Sequence, residues 1–149
     1  GHIGMGWHGR RQTNFSQWEQ STMMTLWCMF RSPLMMGGEL RDNDTWTLSL
    51  LTNGEVLRLL KHSSGARQLE RDGEHAVWVS WDVDGSAYVA LFNLSDKQAA
   101  KISCSTDVCG FSPAKIRDLW QHQERMAAPG RIAAELPPHG AALYRAYRA

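Results

Sequence analysis

Residues 75–94 have the sequence HAVWVSWDVDGSAYVALFNL, in which two runs of β-branched and aromatic residues flank Asp84-Gly85. An Asp-Gly pair between two such runs is a strong signal for a β-hairpin, because both residues tolerate the positive φ angles of a tight hairpin turn. The stretch therefore predicts two adjacent antiparallel strands, at residues 75–82 and 86–94. Antiparallel pairing is then the architecture to expect for the second half of the chain.

Four further short runs with strand character follow the hairpin, separated by Gly, Pro, Ser and Asp. They lie at residues 101–104, 115–120, 131–136 and 141–147. Short strands at such spacing with such turns are typical of an antiparallel β-sandwich. The break in both patterns at Ser63-Ser64-Gly65 predicts a domain boundary close to these residues.

The first third of the chain carries the start signals of three helices. Ser16 and Glu19 match a capping box, in which each side chain binds a free backbone N–H of the other residue. Asp44 is a suitable N-cap for a second helix. Thr52 and Glu55 match a second capping box and predict a third helix after it.

Between the first two helices, residues 33–38 have the sequence PLMMGG. A short apolar run without polar alternation favours a strand that is buried on both faces, as in the parallel sheet of an α/β protein. Such a strand needs neighbouring strands to bind its backbone polar groups, and it needs helices over both faces. The chain offers one strand of this kind. We therefore expect the first third to be the end of an α/β domain whose other βα units precede Gly1.

Composition excludes several classes of function. The 149 residues carry 16 Lys and Arg against 15 Asp and Glu, a net charge of +1. No field of one sign is available to attract nucleic acid or an anionic membrane. The most apolar run, residues 23–30, is far shorter than the roughly 20 residues of a spanning helix. We expect neither nucleic acid nor a membrane as a partner.

Metal and disulfide chemistry have little support in the sequence. The three cysteines, Cys28, Cys104 and Cys109, allow at most one bridge, and Cys104 and Cys109 are not expected to be a required one. The histidines lack the spacing of a zinc site, and residues 82–85 (DVDG) lack the remaining ligands of a calcium loop. We expect no metal and no cofactor.

Several motifs of the first third resemble the end of the catalytic barrel in α-galactosidases (melibiases) of glycoside hydrolase family 27. They are MTLW at 24–27, FRSPLM at 30–35, GGEL at 37–40 and WTLSLLTN at 46–53. RDLW at 117–120 and LPPHG at 136–140 are similar to the C-terminal sandwich of the same enzymes. The resemblance implies the last βα portion of a (β/α)8 TIM barrel over residues 1–63, truncated, followed by an antiparallel β-sandwich domain over residues 64–149.

The resemblance also implies a chemistry. Family members are retaining glycosidases that cleave terminal α-galactosyl residues from oligosaccharides, with two aspartates on barrel strands that would lie upstream of Gly1. We expect this stretch alone to be inactive. Related sugars, namely α-N-acetylgalactosamine and β-L-arabinopyranose, stay open as substrates, and a homo-oligomer stays open as an assembly.

Two loops provide candidate substrate-binding residues if the barrel assignment holds, because barrel active sites lie at the C-terminal ends of the strands. The loop after the seventh strand contains Trp7, His8, Arg10 and Arg11. The loop after the eighth strand contains Glu39 and Asp42, for which a solvated loop is the competing interpretation.

The alternative to the enzyme hypothesis is a non-catalytic β-sandwich module that binds carbohydrate or braces a barrel. Seven tryptophans are compatible with sugar binding, since flat indole rings stack on sugar faces. Most of them lie in apolar patterns, however, which favours core positions for Trp27, Trp46, Trp78 and Trp81. The upstream sequence discriminates between the two hypotheses.

Overall fold

The computed structural model describes residues 2–3 and 11–148, with the backbone alone at His2, Ile3 and Arg11. Three helices are present in these residues: α1 (Gln17–Met29), α2 (Thr45–Leu51) and α3 (Gly54–His62). The strands are β1 (His2–Ile3), β2 (Arg11–Gln12), β3 (Ser63–Arg71), β4 (His75–Asp82), β5 (Ala87–Asn93), β6 (Ala100–Ser105), β7 (Lys115–Asp118), β8 (Gln123–Met126), β9 (Arg131–Leu136) and β10 (Ala141–Tyr147). None of the described helices is long and apolar enough to cross a membrane.

The predicted hairpin is confirmed as the centre of a six-stranded antiparallel sheet. Its strands β4 and β5 pair from His75 with Asn93 to Trp81 with Ala87, and Gly85 in the turn has a φ of 84°. The strand order is β3-β4-β5-β10-β7-β8, and β6 and β9 form a second antiparallel pair. The β-sandwich expected from the sequence is therefore present.

The centre of the six-stranded sheet is buried on both faces. All seven residues of β5 are buried, and successive side chains point to opposite faces. Val89 and Leu91 belong to a core between the two sheets, whereas Tyr88 and Phe92 belong to a core between the sheet and the helices. We call these the sandwich core and the helix–sheet core.

The helices form a layer with one face on the sheet, which we call the inner face. Met24 and Cys28 of α1 and Val56 and Leu59 of α3 are at most 3% exposed and lie in the helix–sheet core. Their spacing of three or four residues places them on one side of each helix. The helices thus bury their apolar residues against the second face of the sheet.

The opposite, outer face of this layer leaves large apolar side chains in contact with solvent. Met23 of α1 and Phe30 at its C-cap are 41% and 47% exposed, Leu48 of α2 is 45% exposed, and Met35 in the loop after α1 is 83% exposed. A soluble monomer rarely exposes a large contiguous apolar patch without a partner. The apolar side chains of the outer face are therefore less buried than those of the inner face.

The prediction of a buried parallel strand at residues 33–38 is wrong for the described structure. Residues 33–37 have no regular secondary structure, and residues 2–3 and 11–148 show no barrel. The physical reason is that a strand buried on both faces needs parallel neighbours for its backbone groups. The described strands form antiparallel pairs.

Two of the three predicted helix starts are confirmed. The Ser16–Glu19 capping box is formed, and Asp44 accepts the backbone N–H of Thr47 at 2.7 Å. The third helix is capped by Asn53 instead of Thr52, with the Asn53 Oδ1 accepting the backbone N–H of Val56 at 3.2 Å. The Thr52 hydroxyl donates to the Leu48 carbonyl of the preceding helix.

Asn93 ends β5 and connects it to two other segments. Its side chain is 1% exposed, and Nδ2 lies 2.8 Å from the Gln98 carbonyl, 3.1 Å from that of Leu136 and 3.0 Å from that of Pro137. The Oδ1 accepts the Ser95 backbone N–H. One buried amide therefore satisfies several backbone groups where the sheets meet.

The cysteines are all free and buried, so Cys104 and Cys109 form no bridge.

Candidate functional site

Four of the six candidate substrate-binding residues have no described side chain. Trp7, His8 and Arg10 lie outside the described residues. Arg11 lies in β2, where its backbone pairs with Ile3. Their role as sugar contacts stays a prediction.

Glu39 and Asp42 lie together in the loop between α1 and α2. The Glu39 carboxylate accepts the Arg41 backbone N–H at 3.2 Å and its guanidinium Nε at 3.1 Å. It thereby caps the short 3-10 helix Leu40–Asp42. This cap is a local structural role, and the described residues bring neither carboxylate to the mouth of a barrel.

A groove of about 530 Å³ is present in the described part of the molecule. It lies between α1, α2, the β7–β8 hairpin and β9, with Trp18, Trp46 and Trp120 among its lining residues. Ligand pockets have volumes of roughly 300–1,000 Å³ and combine aromatic walls with a few polar groups. The size and the aromatic content of this groove fit that description.

The floor of the groove is fixed by hydrogen bonds. The Trp120 indole Nε1 donates to the Thr25 hydroxyl at 2.8 Å, and that hydroxyl donates to the Ser21 carbonyl at 2.7 Å. The Asp118 Oδ1 accepts the backbone N–H groups of Trp120 and Gln121 at 3.0 and 2.9 Å. These bonds hold the β7–β8 turn against α1 and preserve the shape of the groove.

An ion cluster borders the groove on one side. The Glu55 carboxylate of α3 lies 2.5 Å from the Arg117 Nε and 2.7 Å from the His122 Nδ1. The hydrogen bond from Arg117 lowers the pKa of Glu55, and the hydrogen bond from His122 lowers it further. Burial raises the pKa, but by less, so the resulting pKa of Glu55 is about 2. Since His122 lines the groove, α3 helps to position that wall.

A second ion cluster joins α3 to the hairpin. The Asp82 side chain is fully buried and accepts Arg58 Nε at 2.7 Å and the Tyr88 hydroxyl at 2.5 Å, with Arg145 Nη2 at 3.4 Å. Burial by itself would raise the pKa of Asp82, but the hydrogen bonds from Arg58 and Tyr88 outweigh it and hold the pKa well below its ordinary value. Arg145 also reaches Asp84 at 2.5 Å. This cluster is a structural anchor.

The resolved pKa shifts of the described carboxylates all have the same direction. Every acidic group whose pKa departs clearly from its ordinary value has it lowered: Glu19, Asp44, Glu55, Asp72, Asp82 and Asp84. Protonating a leaving group at neutral pH requires a carboxylic acid with a raised pKa. Across residues 2–3 and 11–148, no group of three or more His, Cys, Asp or Glu side chains is placed to hold a metal ion.

The architecture defines a class of protein: an antiparallel β-sandwich with one sheet covered by helices. Comparison with protein families matches residues 72–146 to the alpha galactosidase C-terminal beta sandwich domain. This match covers half of the chain. The chain therefore belongs to this family, which is the C-terminal domain of family 27 glycoside hydrolases.

Known proteins of similar sequence and structure are glycoside hydrolases. A GH27 β-L-arabinopyranosidase from Geobacillus stearothermophilus is 48% identical and superimposes with a TM-score of 0.93 over 100% of this chain and 35% of its own. An α-galactosidase of Cyamopsis tetragonoloba is 26% identical over 85% of this chain and 32% of its own. An isomalto-dextranase of Arthrobacter globiformis is 31% identical over 91% of this chain and 23% of its own. The chain thus spans a third or less of these curated relatives.

The groove is the feature that sequence reasoning missed. Trp18, Trp46 and Trp120 are far apart in the chain, and Trp46 was expected to be a core residue. The available signal was the position of Trp18 in α1, three residues before the buried Ser21 and seven before the buried Thr25. That spacing places an exposed indole on the face of the helix that turns toward the sheet.

Proposed function

We propose that this chain is the C-terminal part of a retaining glycoside hydrolase that cleaves terminal α-galactosyl residues from oligosaccharides. The observation that carries the proposal is the likeness to a GH27 enzyme over the whole chain, helices included, at 48% identity. Several further relatives are α-galactosidases. In this proposal the substrate-cleaving carboxylates belong to a barrel outside this chain.

The division of the chain follows from the same proposal. Residues 1–63 complete a (β/α)8 barrel, and residues 64–149 form the appended sandwich. The exposed apolar side chains of the outer face, such as Met23, Phe30 and Met35, support it. Barrel helices bury their apolar side against the strands, so the remaining barrel would cover this face.

The reaction explains why this stretch has no activity of its own in the proposal. A retaining glycosidase needs a nucleophilic carboxylate and an acid about 5 Å apart across the anomeric carbon. The acidic groups with altered pKa values in this chain are engaged by arginines, backbone N–H groups or hydroxyls. This chain instead closes the barrel and braces its helices on the sheet. Trp7, His8, Arg10, Arg11, Glu39 and Asp42 remain the candidates for sugar contact.

The test compares the 149-residue chain with the same chain joined to the barrel of its own gene. We expect the longer protein to hydrolyse p-nitrophenyl α-D-galactopyranoside with retention of configuration, and the 149-residue chain to be inactive. Parallel assays with the α-N-acetylgalactosaminide and the β-L-arabinopyranoside establish the sugar preferred.

Two results would contradict the proposal. One is turnover by the 149-residue chain that disappears when a single one of its carboxylates is replaced. The other is a longer protein that folds and hydrolyses none of the three substrates. If the longer protein prefers the arabinopyranoside or the N-acetylgalactosaminide, the proposal of a glycosidase stands, but galactose is rejected as its substrate.

A further inference from the structure

We propose that the groove between α1, α2, the β7–β8 hairpin and β9 binds a pyranose unit of a neutral saccharide. The inference goes beyond the proposed hydrolase activity and does not depend on it. It rests on the aromatic wall, on a buried donor without an acceptor, on the charge balance of the lining, and on the face of the helices to which the groove opens.

The aromatic wall provides a surface for stacking. Trp18 lines the groove and is 51% exposed, so much of its indole is open to a ligand. An indole ring presents a negative face, and the C–H groups on one side of a pyranose are a polarised apolar patch of similar size. Trp120, held at its Nε1 by Thr25, adds a second, immobilised ring.

The second observation is an unsatisfied donor. Trp46 lines the groove, and its buried indole Nε1–H has no acceptor among the described residues. A buried donor without an acceptor is costly, and such a group calls for a binding partner. A turn of the Trp46 indole toward the groove would let a sugar hydroxyl accept this N–H, while the hydroxyl donates its own hydrogen bond to a neighbouring carboxylate.

The charges of the lining argue against an anionic ligand, and its polar groups suit a hydroxylated one. Asp118, Glu124 and Glu135 provide acceptors, although Glu124 also binds Lys115 at 3.1 Å; His122 and Gln121 provide donors. The guanidinium of Arg125 is occupied by the Tyr144 ring at 5.5 Å and the Ala133 carbonyl at 3.3 Å. A phosphorylated ligand needs a surplus of cationic donors, which this lining lacks. Alternating donors and acceptors fit hydroxyl groups.

The groove opens on the side of the helices that faces the sheet. Trp18 shares this side of α1 with the buried Ser21 and Thr25, whereas the exposed Met23 and Phe30 lie on the outer face. A partner that covers the outer face would therefore leave the sheet-facing side of α1, which carries Trp18, open to the sugar. Binding is expected whether or not the outer face is covered.

The test measures binding to the 149-residue chain by isothermal titration calorimetry and saturation-transfer NMR. The probes are methyl α-D-galactopyranoside, melibiose and isomaltotriose, with adenosine 5′-monophosphate as an anionic aromatic competitor. We expect saturable millimolar binding of at least one sugar. Trp18→Ala should weaken it at least tenfold, and Phe30→Ala, which removes an exposed ring of the same helix outside the groove, should change it less than twofold.

A second variant separates binding from folding. Trp46→Phe removes the unsatisfied Nε1–H and keeps an aromatic ring, so it should weaken sugar binding severalfold while the thermal midpoint stays equal or rises. Three results would overturn the proposal: no saturable sugar binding by the folded chain, equal loss in the Trp18 and Phe30 variants, or tighter binding of adenosine 5′-monophosphate than of every sugar.

Discussion

The inner and outer faces of the helical layer differ although the same three helices form both. On the inner face, Leu59 and Val56 are fully buried, and Arg58 and Glu55 engage partners on the sheet. On the outer face, Met23, Phe30 and Leu48 remain more than 40% exposed. Apolar residues alone therefore do not determine which side of a helix finds a partner.

The difference lies in what the sheet offers. β5 presents Tyr88, Ala90 and Phe92 to the helices, and Asp82 at the end of β4 provides a buried carboxylate for Arg58. The packing against these side chains and the Arg58–Asp82 ion pair together fix the orientation of the helices on the sheet. The outer face has an apolar surface without such a complement among the described residues.

The largest effect should come from opening a cavity on the inner face. Leu59→Ala removes a side chain that is 0% exposed in the helix–sheet core, and we expect a loss of about 2–5 kcal/mol in the free energy of unfolding. Leu48→Ala, on the outer face of α2, is the matched control and should change it by less than about 0.5 kcal/mol. Urea denaturation of the two variants measures both. Equal losses would mean that the outer face is packed in solution.

Removing the buried carboxylate should have a somewhat smaller effect. Asp82→Ala removes the fully buried carboxylate shared by Arg58, which is 34% exposed, and Arg145, which is 14% exposed, and leaves them only the half-exposed Asp84. We expect a loss of about 3 kcal/mol. Asp96→Asn, which alters an 82% exposed carboxylate paired with His139, should stay within about 0.5 kcal/mol. A stability loss no larger than that of the control would show that the Asp82 cluster is not an anchor.

The smallest effect is the acid sensitivity of the inner-face ion pairs. The pKa of Glu55 is lowered to about 2 and that of Asp82 is also lowered, whereas unfolded carboxyls titrate at about 4. The unfolded chain therefore binds more protons between these values, so stability is complete above about pH 5 and falls as the pH decreases through 4 toward 2. Since the Glu55 side chain is 35% exposed, its share should be less than about 1 kcal/mol.

Thermal midpoints between pH 2 and pH 7 measure this dependence. Glu55→Gln should flatten the acid limb, whereas Glu74→Gln, a change in an exposed loop, should leave it unchanged. An acid limb of the same slope in the Glu55 variant would assign the sensitivity to other carboxylates.

Short sequence motifs predicted the elements of the fold that are determined by residues close together in the sequence. The Asp84-Gly85 hairpin, the Ser16–Glu19 capping box and the strands around residues 131–136 and 141–147 lie where the sequence placed them. β3 and β8 were missed because they are polar edge strands, with mostly exposed residues and no apolar alternation. The α3 cap was assigned to Thr52 because the pairing of Glu55 with the distant Arg117 has no local signature.

The candidate site was less predictable than the fold. Glu39 and Asp42 were chosen from their position after an expected barrel strand, and the described structure gives Glu39 a local capping role. The groove requires Trp18, Trp46 and Trp120 to converge, and no periodicity within one element encodes a meeting of three separate segments. Such a site follows from the tertiary packing alone.

The buried amide of Asn93 has a consequence for secretion. Asn93-Leu94-Ser95 matches the acceptor pattern for N-linked glycosylation. The nitrogen that would carry the glycan is the Nδ2 that bonds the carbonyls at the junction of the two sheets. A glycan at this position and the folded sandwich exclude each other, so in a eukaryotic secretory pathway this acceptor remains unmodified in every correctly folded molecule.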